Sequence, residues 1–147
     1  MKKFSFSLEK VLNYKCQLLD VLKNELSVLQ HELTKMENQI QQQEFIYQQS
    51  NNELVDKMNE GMVPGEISSY KIYLSNLNEQ IKVLMQKKEL QQMKIVKKQV
   101  EIVNMNIEIG SLDKLKEQQF ESYRQALQKQ EELFINEFIG NSLSSQV

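Results

Sequence analysis

The apolar residues of this chain recur every seven positions over most of its length. A seven-residue repeat keeps one stripe of a helix facing a partner helix, and the mismatch with 3.6 residues per turn produces a left-handed supercoil. The spacing therefore predicts coiled-coil helices. In the N-terminal half the uninterrupted row is Leu12, Leu19, Leu26, Leu33, Ile40, Tyr47 and Leu54, and its companion is Leu8, Lys15, Leu22, Leu29, Met36, Gln43, Ser50 and Lys57.

The C-terminal half carries the same two-row pattern. One row is Ile67, Leu74, Ile81, Lys88, Ile95, Ile102 and Ile109, and the other is Tyr70, Leu77, Leu84, Gln91, Lys98, Met105 and Leu112. Polar residues in such rows lower stability and fix the register of the helices. We predict a core made of the apolar members, with Leu26 and Leu33 buried near residues 93–100. The predicted core comprises Leu12, Leu19, Leu26, Leu33, Ile40, Leu54, Leu74, Ile81, Ile95, Ile102 and Ile109.

Turn-forming residues concentrate in one place, Gly61-Met-Val-Pro64-Gly65. Gly61 can adopt the left-handed conformation that ends a helix, and Pro64 prevents its continuation. We therefore predict a first helix over about 7–60, a turn over 61–65, a second helix over about 66–139 and a disordered tail over 140–147. So short a connection makes the helices antiparallel neighbours. The predicted fold class is all-α, a single-domain antiparallel coiled-coil hairpin over residues 1–147.

The second helix is predicted to be longer than the first. Pairing about the turn places residue i opposite roughly 126 − i, so the last turns of helix two overhang by about 27 Å at 1.5 Å per residue. After Leu112 the apolar pattern is offset by four residues, with Gly110-Ser111 as a plausible kink. An apolar stripe without a partner in its own chain usually marks a binding site for another protein. The stripe consists of Phe120, Tyr123, Leu127, Phe134 and Phe138, and Phe4 and Phe6 are expected at the same end.

Composition disfavours catalysis and nucleic-acid binding. The 18 basic and 20 acidic residues are interspersed and form no basic stripe along the chain. His31 is the only histidine and falls at an outward heptad position, whereas Cys16, the only cysteine, is expected to be half-buried. The four glycines are far apart, so no phosphate-binding loop is predicted. We predict no enzymatic activity, no cofactor and no metal site.

Cysteine usage and hydropathy bear on location. One cysteine fits a reducing compartment. Polar residues such as Glu9 and Lys10 interrupt any apolar segment after the initial Met-Lys-Lys, so a signal peptide is not expected. No apolar stretch reaches the roughly 20 residues of a membrane span. The default prediction is a cytoplasmic protein.

Three sequence blocks resemble one protein family. The first is Phe4-Ser-Phe6-Ser-Leu8-Glu-Lys-Val11-Leu12, the second is Gly61 followed by Ile67, Tyr70, Tyr73, Leu77 and Ile81, and the third is Leu112-Asp-Lys-Leu115-Lys116-Glu117 with Tyr123-Arg124 and Glu131-Glu132. In this order they resemble the FliJ family of flagellar protein-export components.

The resemblance implies a soluble component of the flagellar type III export machine, peripheral to the inner face of the cell membrane at the flagellar base. Members of the family are antiparallel coiled coils similar to the stalk subunit of rotary ATP synthases. They insert into the hexameric export ATPase, contact the cytoplasmic domain of the export gate, and couple ATP hydrolysis to export. Export chaperones are further partners of the family.

This resemblance assigns roles to two groups of residues. The ATPase-binding group is Phe4, Phe6, Phe120, Tyr123, Leu127, Phe134 and Phe138, and the gate-binding group is Ile46, Tyr70, Tyr73 and Leu77. The family often carries two tyrosines four apart late in helix one, where this chain has Phe45-Ile46-Tyr47 and then Ser50. Tyr73, at an outward position, is therefore the better gate-binding candidate.

Two other interpretations remain. A holdase or escort chaperone for export substrates or chaperones would also use exposed apolar residues, although a prefoldin-like chain needs β-hairpin segments for which a five-residue turn leaves no room. A structural tether explains the heptads and leaves the apolar overhang unexplained.

Overall fold

The computed structural model describes residues 2–145 of the chain, with side chains described as far as Leu143. Two helices, α1 (Glu9–Glu60) and α2 (Pro64–Ser145), pack against each other as an all-α helical hairpin. No strand occurs among these residues. The predicted fold class is confirmed.

The first helix ends directly before Gly61, as predicted. Glu60 is the last residue of α1, and Gly61 follows with φ of 103°, a left-handed conformation that costs glycine little. The Gly61 N–H donates a hydrogen bond to the Met58 carbonyl (3.3 Å). At the other end α1 begins at Glu9, whose N–H donates to the Phe6 carbonyl (3.1 Å), two residues later than predicted.

The second helix begins earlier than predicted, at Pro64. The Val63 carbonyl accepts hydrogen bonds from the N–H groups of Glu66 (3.0 Å) and Ile67 (3.3 Å), which makes Val63 the residue before the first turn. Proline suits this position because the first turn needs no N–H donor and its φ is already helical. The predicted turn over 61–65 is therefore too long, and the connection is Gly61 to Val63.

The second helix also ends later than predicted. It continues to Ser145, so the predicted disordered tail is wrong for residues 140–145, and residues 146–147 lie outside the described part. One glycine inside a helix costs about 1 kcal/mol relative to alanine. That cost is too small for Gly140 to end a long helix.

The helix is likewise unbroken at Gly110 and Ser111, where a four-residue offset was predicted. The Ser111 hydroxyl donates a hydrogen bond to the Ile107 carbonyl (3.0 Å). Beyond it Lys116 and Tyr123 stay half-buried at seven-residue spacing from Ile109, so this row keeps its register. The offset is wrong because Lys116 can occupy a seam position when its ammonium group has a partner.

The contacts divide the chain into two compact units, each containing a piece of both helices. One is Leu22–Glu101, and the other joins the residues up to Val21 with those from Ile102 onward. The single-domain organisation stays a prediction.

The core of the unit Leu22–Glu101 consists of heptad-row residues. Leu26 and Leu33, which were predicted to be buried, are half-buried. The most buried side chains, 3–8% exposed, are Ile40, Leu54, Leu74, Leu77, Ile81, Gln91 and Ile95.

Polar seam residues of this unit bond across to the other helix. The Gln91 amide donates to the Leu29 carbonyl (3.0 Å) and to the Glu32 carboxylate (3.1 Å). The Lys98 ammonium group lies 2.6 Å from the Glu25 carboxylate. The predicted register placed Lys98 opposite roughly residue 28, so the observed pairing differs by about three residues. These bonds are compatible with one antiparallel register.

The charge of Lys98 is stabilised within this seam. Hydrogen bonds to the carboxylates of Glu25 and Glu101 raise the pKa of Lys98 above its ordinary value. The ammonium group therefore stays protonated at a position where an apolar residue is usual.

In the second unit, the helices are joined by Leu12 and by two ion pairs. Leu12 is 6% exposed. The ammonium groups of Lys15 and Lys116 lie 2.7 Å from Glu108 and 2.9 Å from Glu9, respectively. The seam therefore extends to the start of α1.

Replacing Gln91 by leucine tests the role of the polar seam. Both its acceptors keep other partners after the change, since the Leu29 carbonyl belongs to a helix and Glu32 is exposed. Gln91→Leu should raise the free energy of unfolding by roughly 1–2 kcal/mol through added apolar burial. Urea unfolding measures this, with the exposed neighbour Gln92→Leu as the control, expected within about 0.5 kcal/mol of the parent protein. A loss of stability in Gln91→Leu would show that the hydrogen bonds outweigh the apolar gain.

Candidate docking surfaces

The residues before α1 cover part of α2. We call residues 2–8 the N-terminal segment. The Phe4 ring lies edge-on to Phe120 with ring centroids 5.2 Å apart and lies 5.6 Å from the ring of Tyr123. The Tyr123 hydroxyl donates a hydrogen bond to the Lys2 carbonyl (2.8 Å). Phe120 and Tyr123 therefore have partners within the chain, contrary to prediction.

Phe6 is also misplaced in the predicted ATPase-binding group. It is 5% exposed and belongs to the core, and Phe4 is half-buried. The prediction assumed that helix two is covered only by the residues of helix one, which was expected to start at residue 7. An extended chain spans up to about 3.3–3.6 Å per residue, so a few residues before the helix reach more than one further turn of α2. The covered part of α2 thus extends to Tyr123.

Beyond Leu127 the apolar side chains of α2 are open. Leu127 is half-buried, and the large apolar residues after it are 50–69% exposed. At 3.6 residues per turn most of them fall on one side of the helix. We call the residues on that side the C-terminal face, comprising Leu127, Phe134, Ile135, Phe138 and Ile139. Part of it is a shallow groove of about 450 Å³ lined by Leu127, Gln130, Glu131, Phe134 and Ile135.

The predicted gate-binding residues lie in the other unit and differ in exposure. Tyr73 is 47% exposed and Ile46 is 38% exposed. Tyr70 is half-buried, and the Lys57 ammonium donates a hydrogen bond to its hydroxyl (2.6 Å) and lies 5.0 Å from its ring centre. This hydrogen bond raises the pKa of Lys57. A small depression of about 250 Å³ brings Tyr70 and Tyr73 together with Ser69.

Leu77 cannot belong to an accessible docking surface. It is 6% exposed and occupies the seam row that also contains Tyr70 and Leu84. Its assignment to the gate-binding group is therefore wrong. The accessible members of that group are Ile46 and Tyr73, with Tyr70 half-covered.

One groove was not anticipated from the sequence. Its volume is about 610 Å³, and Gln43 contributes a buried side-chain oxygen that has no hydrogen-bond partner in the described structure. The one sequence feature that could have indicated this groove is Gln43, a polar residue in a heptad row. The groove is lined by Gln39, Gln42, Gln43, Glu79, Gln80, Val83 and Leu84.

The single histidine and the single cysteine both lie on the surface. His31 is exposed, as its outward heptad position predicted. Cys16 is exposed, so its expected half-burial is wrong, because its flanking position faces away from the single layer of seam. Over residues 2–145 no group of His, Cys, Asp and Glu side chains is arranged to hold a metal ion. Neither described helix has an apolar window long enough to cross a membrane.

Replacing Phe6 and Phe138 in turn by alanine tests which of the two side chains contributes to the stability of the fold. Phe6→Ala should lower the free energy of unfolding by roughly 3 kcal/mol, since it removes a buried ring. Phe138→Ala should stay within about 0.5 kcal/mol, because Phe138 is 68% exposed. Urea unfolding followed by helical circular dichroism measures both. Equal losses would contradict the assignment of Phe6 to the core and Phe138 to the open face.

Comparison with protein-family models matches residues 4–145, nearly the whole chain, to the family described as the flagellar FliJ protein. Searches of curated proteins and of solved structures found no match. The family match agrees with the resemblance carried by the opening, central and C-terminal sequence blocks. The chain belongs to the FliJ family and is a component of flagellum biogenesis and flagellar protein export.

Proposed function

We propose that this chain is a coiled-coil adaptor that docks its C-terminal face into the hexameric export ATPase. Through a second surface it contacts the cytoplasmic domain of the export gate. By holding both partners it couples ATP hydrolysis to the export of substrates. Export chaperones are further partners in this proposal, which places the protein in the cytoplasm at the inner face of the cell membrane.

The observation that carries the proposal is the open C-terminal face. A contiguous apolar surface on a helix is costly in water and typically marks a protein interaction site. Burying one large side chain contributes roughly 1.5–3 kcal/mol, from which the cost of association is subtracted. A few aromatic residues usually dominate such interfaces. Phe134 and Phe138, 69% and 68% exposed, are the candidates here.

The gate-contacting surface in this proposal centres on Tyr73. Tyrosine combines a large apolar ring with a hydroxyl group, which suits a partly wet interface. Tyr70 lies beside it, and its hydroxyl accepts a hydrogen bond from the Lys57 ammonium group. Ile46 is a second exposed member of the predicted group.

A holdase chaperone is the alternative that the same open face supports. Such a protein would bind many unfolded segments with little dependence on their sequence. The adaptor uses this face for one folded partner, the export ATPase, with defined stoichiometry. Competition between the ATPase and an unfolded export substrate for the chain would distinguish the two functions.

Replacing Phe134 by aspartate tests ATPase docking. The change places a charge where the partner must remove water, so binding to the export ATPase and stimulation of its activity should fall at least about tenfold. Phe45→Asp is the matched control, since Phe45 is 61% exposed on a helix in the other unit. Both variants should keep the parent melting temperature. Normal stimulation by Phe134→Asp would remove the C-terminal face from the ATPase interface.

Replacing Tyr73 by alanine tests the contact with the gate. Tyr73→Ala should reduce binding to the gate's cytoplasmic domain and reduce motility, while helicity and melting temperature stay unchanged. Tyr14→Ala is the control, because Tyr14 is 61% exposed and lies in the other unit. Unfolding of Tyr73→Ala would instead place this ring in the core and contradict a docking role.

A further inference from the structure

The N-terminal segment shows which chemistry the apolar stripe of α2 accepts. Phe4 packs on Phe120 and Tyr123, and the stripe they begin continues with Leu127 and Phe134 on the same side of the helix. The residues seated on its covered part read Lys2-Lys-Phe-Ser-Phe6, two lysines followed by two aromatic rings. The open part of the stripe is therefore continuous with a surface that already binds the aromatic ring of Phe4, while the two lysines beside that ring are exposed.

The open part also carries uncompensated negative charge. Residues 130–145 contain three glutamates, Glu131, Glu132 and Glu137, and no lysine or arginine. Glu131 lines the groove beside Leu127. Within the described residues none of these three carboxylates makes an ion pair.

One turn before the C-terminal face the situation differs. Arg124 lies 2.8 Å from Glu121, and its hydrogen bonds lower the pKa of the Glu121 carboxyl group. Residues 121–129 thus carry one acidic and two basic side chains, whereas residues 130–143 carry three acidic side chains and no basic one.

This combination of apolar and acidic groups narrows the class of partner. An anionic membrane surface attracts lysine and arginine and repels carboxylates. Nucleic acid is excluded by the same argument, since its phosphates need basic side chains. A second copy of the C-terminal face would bring like charges together at the interface.

We infer that the C-terminal face binds a protein segment in which apolar or aromatic side chains are flanked by lysine or arginine. The apolar side chains fill the groove beside Leu127 and Phe134. The basic groups pair with Glu131, which lines the groove, and are attracted by the negative charge of Glu132 and Glu137 on other sides of the same helical segment. Such charges mainly set the association rate and the dependence on salt. The inference rests on the proposed function in one respect: the segment belongs to the export ATPase.

The test measures binding of the full-length chain to the export ATPase at low and at high salt. The variant Glu131→Gln/Glu132→Gln/Glu137→Gln should bind about tenfold more weakly at low salt and lose most of the salt dependence. The control Glu44→Gln/Glu60→Gln/Glu89→Gln changes the net charge equally at exposed positions in the other unit and should bind like the parent. Loss of binding in Phe134→Asp together with unchanged binding in the C-terminal glutamine variant would overturn this inference and leave ATPase docking intact.

A second arm applies even if the ATPase does not bind. A peptide with the sequence of residues 2–6 is titrated into the full-length chain, and nuclear magnetic resonance shifts of residues 127–143 are followed. The inference predicts saturable shifts that weaken in the C-terminal glutamine variant and with a peptide whose two lysines are replaced by glutamine. Shifts that are absent, or indifferent to both replacements, would overturn the inference independently of the ATPase.

Discussion

The structure depends on a seam that is only one layer deep, in which each side chain is covered by a single facing helix. Ile81 and Ile95, among the best-buried residues, are still 7% and 8% exposed, and Leu26 remains half-open. The seam accommodates polar residues where each can reach a partner, including Gln91, which is only 3% exposed. Lys98 can reach Glu25 at the edge of the seam, and Gln91 can bond to a backbone carbonyl. Such directional bonds specify a register that apolar contacts alone define less sharply.

The seam leaves the end of α2 without a facing helix because the two helices differ in length. α1 has 52 residues and α2 has 82. The N-terminal segment extends the cover of α2 as far as Tyr123, and the C-terminal face has no such cover within the described chain. An unsupported helix is stabilised only by its own hydrogen bonds and by side-chain pairs along its surface. A bound protein would therefore stabilise the open end of α2 more than the paired part, by covering its apolar side chains and by pairing its carboxylates.

Heptad spacing and the turn-forming residues between Gly61 and Gly65 were sufficient to predict two helices packed as an antiparallel pair. The sequence could not indicate the contacts of the non-helical N-terminal segment, or which of two possible roles Pro64 takes. Phe4 and Phe6 lie in a segment without periodicity, so the contact of Phe4 with α2 and the burial of Phe6 could not be read from spacing. Proline breaks a helix interior and favours a first turn, and only the structure decides which applies to Pro64. At Leu77 the seam row and the gate-binding assignment conflicted, and the buried position of the side chain agrees with the row.

The central claim is that the C-terminal face is uncovered in the free chain and becomes buried in the complex with the export ATPase. Hydrogen exchange followed by mass spectrometry tests this with the full-length protein, alone and with the ATPase hexamer. Amides of residues 128–143 should exchange rapidly in the free chain, since little tertiary packing supports them, and at least about tenfold more slowly in the complex. Amides of residues 22–101 should change little. Protection confined to residues 22–101, with residues 128–143 unaffected by the ATPase, would contradict the account.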